Sequence, residues 1–150
     1  MTTTASEPNL ELDSQLCFAL YRASRAVIRS YGEALDDLGL TYLQYLTMMV
    51  LWQKAPQSVS EIGGLLHLDS GTLSPVLKRL EEAGFVERSR DPLDDRRVLI
   101  GLTREGKALR KRAEAVPSKV FSCMGLEMEE AQGLKAALHR LSDTLDEAEA

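Results

Sequence analysis

The sequence predicts a mainly α-helical fold with one β-hairpin, arranged as a winged helix-turn-helix between longer helices. Apolar residues recur at helical spacing over most of the 150 residues. Two short helices with clear start signals follow each other in mid-chain, and the next segment changes to strand character around a polar turn. The predicted order is therefore four helices, a hairpin and two helices. A composition of 44% hydrophobic and 27% charged residues fits one folded domain.

The first predicted helix covers residues 13–38 and follows a loose arm of about twelve residues. Asp13 is the expected N-cap and Gly39 the expected stop. Besides the apolar stripe that faces the core, this helix carries a second stripe that a monomer core does not need. The second stripe predicts a partner helix, and it consists of Cys17, Phe18 and Tyr21.

The second and third predicted helices each begin at a capping box. Thr41 with Gln44, and Ser58 with Glu61, have the spacing at which each residue's side chain bonds the backbone N–H of the other. The first box opens a strongly apolar helix that extends to about Lys54. The second opens a short helix, which would be the first helix of the helix-turn-helix.

The fourth predicted helix is capped by Asp69, ends at Gly84 and buries one face. The period then changes, and residues 85–90 and 97–102 are predicted to be strands of a hairpin around a polar loop at 91–96. The buried face of the fourth helix consists of Leu73, Val76, Leu77 and Leu80.

Two more helices are expected after the hairpin. Thr103 starts a helix that is predicted to continue past Pro117 to about Met124. Residues 127–148 are predicted to form the last helix, because leucines recur there in helical register.

Positive charge is concentrated in the middle of the chain, although the whole chain carries −5. Residues 69–112 hold eleven Lys and Arg against eight Asp and Glu, a net +3, and the remainder holds seven against fifteen, a net −8. A local basic excess on a helix-turn-helix favours duplex DNA as the partner.

The outer face of the fourth helix is the candidate base-reading surface. Small hydroxyls near a helix N-terminus can approach bases and phosphates, and Lys or Arg can contact phosphates or guanine edges. Arg96 is expected at the hairpin tip, where an arginine can enter a minor groove, and Asp94 of the same wing is counted with it among the candidate DNA-binding residues. The alternatives are a merely solvated face and an Arg96 that pairs with Asp94. Pro75 breaks the helix pattern, since it cannot donate to the Gly71 carbonyl. The candidate residues on the helix are Ser70, Thr72, Ser74, Lys78 and Arg79.

Cys17 is the candidate reactive group. It is expected near the fourth position of the first helix, where amide groups and the helix dipole favour a thiolate. Phenol hydroxyls can donate to a thiolate without adding charge, and three tyrosines are candidates for this role. The alternative is that Cys17 is a small buried hydrophobe and that the tyrosines belong to a core or an interface. The three tyrosines are Tyr21, Tyr31 and Tyr42.

Residues 58–106 resemble the core of the multiple antibiotic resistance regulator (MarR) family, and the flanking helices match as well. The wing Asp94-x-Arg96 and the helix restart Leu102-Thr103-x-x-Gly106 carry the resemblance. In that family the first, fifth and sixth helices form the dimer interface, and the dimer binds pseudo-palindromic operators. The resemblance implies one MarR-like domain over residues 1–150, with dimerisation helices at 13–38 and 104–148 and a DNA-binding lobe at 41–103.

Residues 12–21 (LDSQLCFALY) and 39–46 (GLTYLQYL) are similar to the organic hydroperoxide resistance regulators within this family. In those proteins the cysteine at the position of Cys17 is oxidised, and tyrosines matching Tyr31 and Tyr42, the latter from the other subunit, hydrogen-bond its thiolate. One branch carries a second cysteine close to the place of Cys123, which condenses with the first between subunits. The resemblance therefore implies a redox-sensing repressor, with organic hydroperoxides as inducers.

Other functions remain open at this stage. A MarR-like repressor could respond to a small aromatic ligand instead of an oxidant, and Cys17 could serve a thiol peroxidase, although no thioredoxin-like βαβ pattern is present. A structural or protein-binding module would leave the hairpin arginines without a purpose. Cys123 could equally be a buried structural cysteine beside Phe121 and Met124.

The remaining expectations concern location and cofactors. No apolar run approaches the roughly 18 residues that span a bilayer, and residues 1–9 lack the features of a secretory signal. We therefore expect a cytoplasmic protein without a membrane partner. Cys17 and Cys123 form no C-x-x-C pair and His67 and His139 are isolated, so no metal or other cofactor is expected.

Overall fold

The computed structural model describes residues 9–150. Residues 1–8, which include most of the predicted arm and of the segment judged not to be a secretory signal, lie outside the described residues. The chain divides into two compact units, one that ends at Val116 and one that covers Pro117–Ala150. The fold is mainly helical with a small three-stranded antiparallel sheet, which confirms the predicted fold class.

Helix α1 covers Leu16–Asp36 and begins later than predicted. Asp13 is not its N-cap, because it lies in a short 3-10 turn, Leu12–Ser14, that precedes the helix. Gln15 separates the turn from the helix in an extended conformation, and its side-chain amide donates to the carbonyls of Asn9 (2.6 Å) and Glu11 (3.2 Å). Cys17 is therefore the second residue of α1 and not the fourth.

Gly39 ends α1 as predicted. Its φ of +68° lies in the left-handed region that glycine adopts without strain. The N–H of Leu40 then turns back to the Leu35 carbonyl (3.2 Å), as in a glycine-terminated helix.

Burial along α1 is confined to its second half. Ala34 and Leu35 are buried, whereas Leu16 and Tyr21 are 69% and 59% exposed. Of the second apolar stripe, Cys17 and Tyr21 are exposed and Phe18 is half-buried. The partner helix predicted to cover this stripe stays a prediction.

The next helices begin at the predicted capping residues. Helix α2 covers Tyr42–Gln53: Thr41 Oγ1 accepts the Gln44 N–H (3.3 Å), and Gln44 Oε1 accepts the Thr41 N–H (3.0 Å). Helix α3, Val59–Leu66, starts with the same reciprocal bonds between Ser58 and Glu61. Both capping boxes are confirmed.

Helix α4 covers Ser70–Glu82 and packs its inner face into the core of the first unit. Leu73, Leu77 and Leu80 are fully buried, as predicted, and Val76 is only half-buried. The core beneath α4 is completed by apolar side chains from the neighbouring helices and strands: Leu35, Met48, Leu51, Ile62, Val86 and Ile100.

A short strand between α2 and α3 was not predicted. Strand β1 consists only of Gln57–Ser58 and pairs with the second hairpin strand through Ile100 and Leu99. The Gln57 amide is buried and donates to the Val50 and Lys54 carbonyls at the end of α2. Two residues are too few for a period-two pattern to show in the sequence.

The hairpin is longer and its turn tighter than predicted. Strand β2 covers Val86–Asp91 and strand β3 covers Asp94–Leu102, so the loop predicted at 91–96 is wrong and only Pro92 and Leu93 form the turn. The Asp91 carboxylate accepts the Leu93 N–H (2.9 Å) and the Asp94 carboxylate accepts the Arg96 N–H (3.0 Å). These local bonds close the turn and allow polar residues to continue the strands.

The helix predicted to run past Pro117 is broken into two. Helix α5 covers Arg104–Ala113 and helix α6 covers Val116–Ser122. In a continuous helix Pro117 would face the Ala113 carbonyl without an N–H to donate, and its ring would crowd that carbonyl. The chain turns at residues 114–115 instead, which places Pro117 in the first turn of α6, where proline is tolerated.

Helix α7 covers Met128–Glu149 after Glu127, close to the predicted bounds. None of its residues is buried, although Leu134, Leu141 and Leu145 lie along it. A search of the described residues finds no helix with the length and apolar character needed to cross a membrane.

Candidate DNA-binding surface and cysteine site

Helix α4 separates its predicted DNA-binding residues cleanly from its core residues. Every predicted residue on this helix is exposed, while the leucines on the opposite face are buried. The structure therefore brings these side chains onto one accessible surface: Ser70, Thr72, Ser74, Lys78 and Arg79.

Asp69 fixes the start of α4. Its carboxylate accepts the Thr72 N–H (2.7 Å), and this backbone hydrogen bond is the main cause that lowers the pKa of Asp69, followed by the Thr72 side chain. The carboxylate is thus charged at neutral pH, and the cap is lost only as the pH falls through that lowered value. Because this acid occupies an amide of the first turn, we expect DNA contacts from the side chains of α4 more than from its N-terminus.

Pro75 does not interrupt α4, which continues unbroken from Ser70–Glu82. The Gly71 carbonyl that loses its helical donor belongs to an exposed residue, so water can satisfy it.

The turn between α3 and α4 depends on Gly63. A Cβ built on Gly63 would lie 2.8 Å from the Leu68 carbonyl oxygen, whereas the neighbouring Gly64 has open space. His67 ends α3 in the left-handed conformation (φ 53°), and the Leu68 N–H then bonds the Gly63 carbonyl (3.0 Å). This contact sets the spacing of the two helices of the helix-turn-helix.

The wing presents Arg96 to solvent. Within residues 9–150 the Arg96 guanidinium forms no ion pair. The Asp94 carboxylate accepts a hydrogen bond from the backbone N–H of Arg96 and not from the Arg96 guanidinium. The alternative in which Asp94 neutralises Arg96 is therefore wrong for this structure. Asp94 shapes the turn, and the Arg96 side chain is available to a ligand.

Cys17 is an exposed free thiol at the start of α1. Tyr21, one turn further on, is also exposed, and the Arg25 guanidinium lies 5.5 Å from the centre of its ring. The alternative of a buried structural cysteine does not hold for Cys17 in the single chain.

Tyr31 and Tyr42 meet each other within one chain. Their ring centroids are 4.9 Å apart, and Tyr45 stands 5.7 Å from Tyr31. Burial raises the pKa of Tyr31 and, with a smaller effect from Tyr31, the pKa of Tyr42, so both phenols keep their protons at neutral pH. Sequence reasoning missed Tyr45, although its spacing of three from Tyr42 places both rings on one face of α2.

Cys17 is far from this tyrosine cluster (Tyr31, Tyr42 and Tyr45) in its own chain. Cys17 and Tyr31 are fourteen residues apart on the unbroken helix α1, which corresponds to about 21 Å along its axis. A contact between the Cys17 thiol and the cluster would require the cluster of another subunit.

Cys123 lies just after α6, in the second unit of the chain. It is exposed and free, and its sulfur lies 3.5 Å from the Lys119 carbonyl oxygen. It is thus not the buried structural cysteine that the sequence left open. Its pairing with Cys17 stays a prediction.

Comparison with known proteins places the chain in a family. The MarR family model matches residues 40–98. The organic hydroperoxide resistance transcriptional regulator of Bacillus subtilis is 41% identical over 137 residues, which cover 91% of this chain and 93% of that protein. The chain belongs to the MarR family. Like its relatives, it is a DNA-binding transcriptional regulator and not an enzyme. The thiol peroxidase hypothesis is therefore discarded.

Further relatives of this MarR-family protein are similar over most of its length. The transcriptional regulator TtmR of Methylorubrum extorquens is 44% identical over 97% of this chain and 74% of that protein. Among solved structures, AbfR of Staphylococcus epidermidis in its reduced, DNA-bound form has a TM-score of 0.79 and is 39% identical. The match covers 93% of this chain and 95% of the AbfR chain. Disulfide-formed AbfR gives 0.61 over 91% of both chains.

Arg96→Ala is expected to weaken DNA binding by this MarR-family protein by about tenfold or more, since each arginine contact is worth roughly 1–3 kcal/mol and a dimer carries two. Fluorescence anisotropy checks this with a duplex selected from a random pool by the reduced protein. Arg110→Ala on the exposed side of α5 is the control and should bind as the wild type does. Equal affinity of the Arg96 and Arg110 variants would exclude a DNA contact by Arg96.

Proposed function

We propose that this MarR-family regulator is a cytoplasmic homodimeric repressor that leaves its operator when an organic hydroperoxide oxidises Cys17. The observation that carries the proposal is the exposed Cys17 thiol on a half-helix that its own chain leaves unburied. The similarity to a hydroperoxide resistance regulator and to AbfR, solved in reduced and disulfide forms, supports it.

Two helices supply the surface for the proposed dimer. Helix α1 exposes Leu16 and Ile28. Helix α7 is 22 residues long and exposes Leu134 and Leu145. Exposed apolar side chains along two helices are typical of a surface that is buried in a homodimer, because homodimer interfaces are as apolar as the core of a domain. Both helices belong to the segments that the sequence assigned to dimerisation.

An antiparallel pairing of two α1 helices would bring Cys17 to the tyrosine cluster. In a twofold pairing centred near Ser24, each residue faces the one equally far beyond the centre, so Cys17 meets Tyr31 of the partner subunit. Ala23 and Ser24 are small and exposed, which permits close approach. Because Tyr31 and Tyr42 lie together in one chain, both phenols would come from the same partner, and not Tyr42 alone as the resemblance implied.

The tyrosines would then stabilise the reactive form of the thiol. A protonated phenol donates a hydrogen bond to a thiolate and favours ionisation of Cys17. The raised pKa values of Tyr31 and Tyr42 keep these groups as donors at neutral pH. Tyr21, one turn beyond Cys17, would flank the thiolate on the same helix.

The proposed chemistry has two balanced steps. The Cys17 thiolate attacks the terminal peroxide oxygen, the O–O bond breaks, and the alkoxide takes a proton to leave as the alcohol, so that Cys17 becomes a sulfenic acid. The Cys123 thiolate of the partner subunit then attacks the Cys17 sulfur, and hydroxide leaves as water after protonation. An intersubunit disulfide forms, and it protects Cys17 from further oxidation.

DNA release would follow from a change in spacing between the two α4 helices. A dimer reads successive major grooves about 34 Å apart, and a displaced helix loses its base contacts. A loss of only about 3 kcal/mol corresponds to more than a hundredfold in affinity.

A mixed dimer tests the disulfide. One tagged subunit carries Cys17→Ser and the other Cys123→Ser, so the only possible Cys17–Cys123 bond joins the two chains. We expect cumene hydroperoxide to give a covalent dimer on a non-reducing gel for this mixed dimer, while either single-variant homodimer forms no Cys17–Cys123 bond. The intersubunit bond would be contradicted by two results together. The subunits of the mixed dimer would migrate as separate chains on the gel, and the wild-type protein would show a disulfide within one chain.

A further inference from the structure

We propose that Arg97 is a positioning residue for DNA binding: through Glu61 it holds the wing against α3, so that Arg96 points to the minor groove. Arg97 would thus act through protein contacts and not as a phosphate ligand. The proposal concerns the reduced, DNA-bound state and is independent of the cysteine chemistry.

Arg97 joins three elements of the first unit. It lies in β3, and its Nη2 is 3.0 Å from Glu61 Oε1 at the start of α3. Its Nη1 is 3.7 Å from Asp91 Oδ2, at the end of β2 beside the turn. One guanidinium therefore connects both strands of the wing to the first helix of the helix-turn-helix.

Glu61 is a well-fixed anchor for this contact. Its second carboxylate oxygen accepts the Ser58 N–H (2.9 Å), and its own N–H donates to Ser58 Oγ (3.2 Å). The Ser58 hydrogen bond is the main cause of a lowered pKa at Glu61, and Arg97 contributes further, so the acid is charged at neutral pH. One oxygen serves the helix cap and the other serves the wing.

The neighbouring position of Arg96 gives the pair its consequence. Successive residues of a strand project to opposite faces, so Arg96 projects away from the side on which Arg97 meets α3. Fixing Arg97 on Glu61 therefore sets the rotation of the strand that carries the unpaired Arg96. A wing without this contact would sample several orientations, and the orientation that binds DNA would be less populated.

Electrostatics alone predicts the opposite effect of Glu61. A carboxylate close to a DNA-binding face repels phosphates, so its neutralisation should strengthen binding if Glu61 had no other role. The sign of the change in affinity on neutralising Glu61 therefore separates a positioning role from a simple charge effect.

Glu61→Gln is the decisive variant, since Gln at this position of a capping box still caps the helix. We expect about threefold weaker binding per wing, the scale of one exposed ion pair, and so about tenfold for the dimer. Anisotropy with the selected duplex, measured over a range of salt concentrations on the reduced protein, gives both affinity and salt slope. The slope should stay that of the wild type.

Glu81→Gln is the matched control. Glu81 also pairs with a wing arginine, Arg88, at 3.1 Å and with similar exposure. That pair spans a short turn already held by backbone bonds, among them Phe85 N–H to the Leu80 carbonyl (3.0 Å). Its loss should leave binding unchanged or slightly tighter, as the removal of one negative charge predicts.

Arg97→Gln and the double variant complete the test. We expect Arg97→Gln to bind more weakly, and the double variant with Glu61→Gln to be no weaker than Arg97→Gln alone, because both remove one contact. The proposal is overturned if Glu61→Gln binds as tightly as the wild type or tighter. It is also overturned if Arg97→Gln lowers the salt slope by about two per dimer, the signature of lost phosphate contacts.

Discussion

Cys17→Ser is expected to remain on operator DNA at peroxide concentrations that release the wild type. A serine hydroxyl cannot form the sulfenic acid, so no step that moves the α1 helices can begin. Cumene hydroperoxide should lower wild-type affinity by more than about a hundredfold and the affinity of the variant by less than about twofold. Anisotropy of the selected duplex, titrated with reduced and with peroxide-treated protein, measures both.

The control for Cys17→Ser is Cys123→Ser, which removes the other exposed thiol. This variant should still be oxidised at Cys17, and it should progress to the sulfinic acid at high peroxide because the trapping thiol is missing. A Cys17→Ser protein that releases DNA as fully as the wild type would exclude this residue as the sensor. An inducer that acts on the cysteine-free protein would instead favour the ligand-controlled repressor.

Gly106→Ala is expected to destabilise the first unit by more than about 3 kcal/mol. A Cβ on Gly106 would overlap the Phe85 carbonyl oxygen, which accepts the Thr103 N–H (3.1 Å). Gly106 also takes part in the cap of α5, where its N–H donates to Thr103 Oγ1 (3.0 Å). Its carbonyl oxygen accepts a hydrogen bond from Trp52 Nε1–H (2.9 Å) in α2. A backbone shift at Gly106 therefore disturbs the hairpin base, α5 and α2 together.

Chemical denaturation followed by circular dichroism measures this loss. Gly101→Ala is the matched control, because a Cβ there would make ordinary contacts of 3.9 Å with Glu87 and Pro56. It should change the free energy of unfolding by less than about 1 kcal/mol. A Gly106→Ala protein as stable as the Gly101→Ala protein would show that the close approach to Phe85 is relieved at little cost.

The parts of the fold that the sequence predicted are those with a local chemical signal. Thr41, Ser58 and Asp69 cap helices because their short side chains carry an oxygen that accepts a hydrogen bond from a backbone N–H of the first helical turn. Leu73 and Leu77 face the core because only one stripe of α4 is apolar. The exposed face of α4 follows from the same pattern, so the candidate DNA surface was predictable with it.

The errors arose where the signal was ambiguous or the partner distant in sequence. Asp13 is a good capping residue, but Gln15 bonds back to the preceding carbonyls and starts the helix later. Asp94 and Arg96 are polar, as loop residues are, yet they belong to an exposed strand. The contact of Arg97 with Glu61 spans 36 positions, and no local pattern announces it.

The most direct test of peroxide sensing follows DNA binding and the state of Cys17 in the same sample. One equivalent of cumene hydroperoxide per subunit is added to the reduced wild type on the labelled duplex, followed by dithiothreitol, with mass spectrometry of the Cys17 peptide at each stage. We predict that anisotropy falls as the Cys17 peptide becomes linked to the Cys123 peptide, and that dithiothreitol restores both. Complete oxidation of Cys17 with unchanged anisotropy would contradict the proposed function.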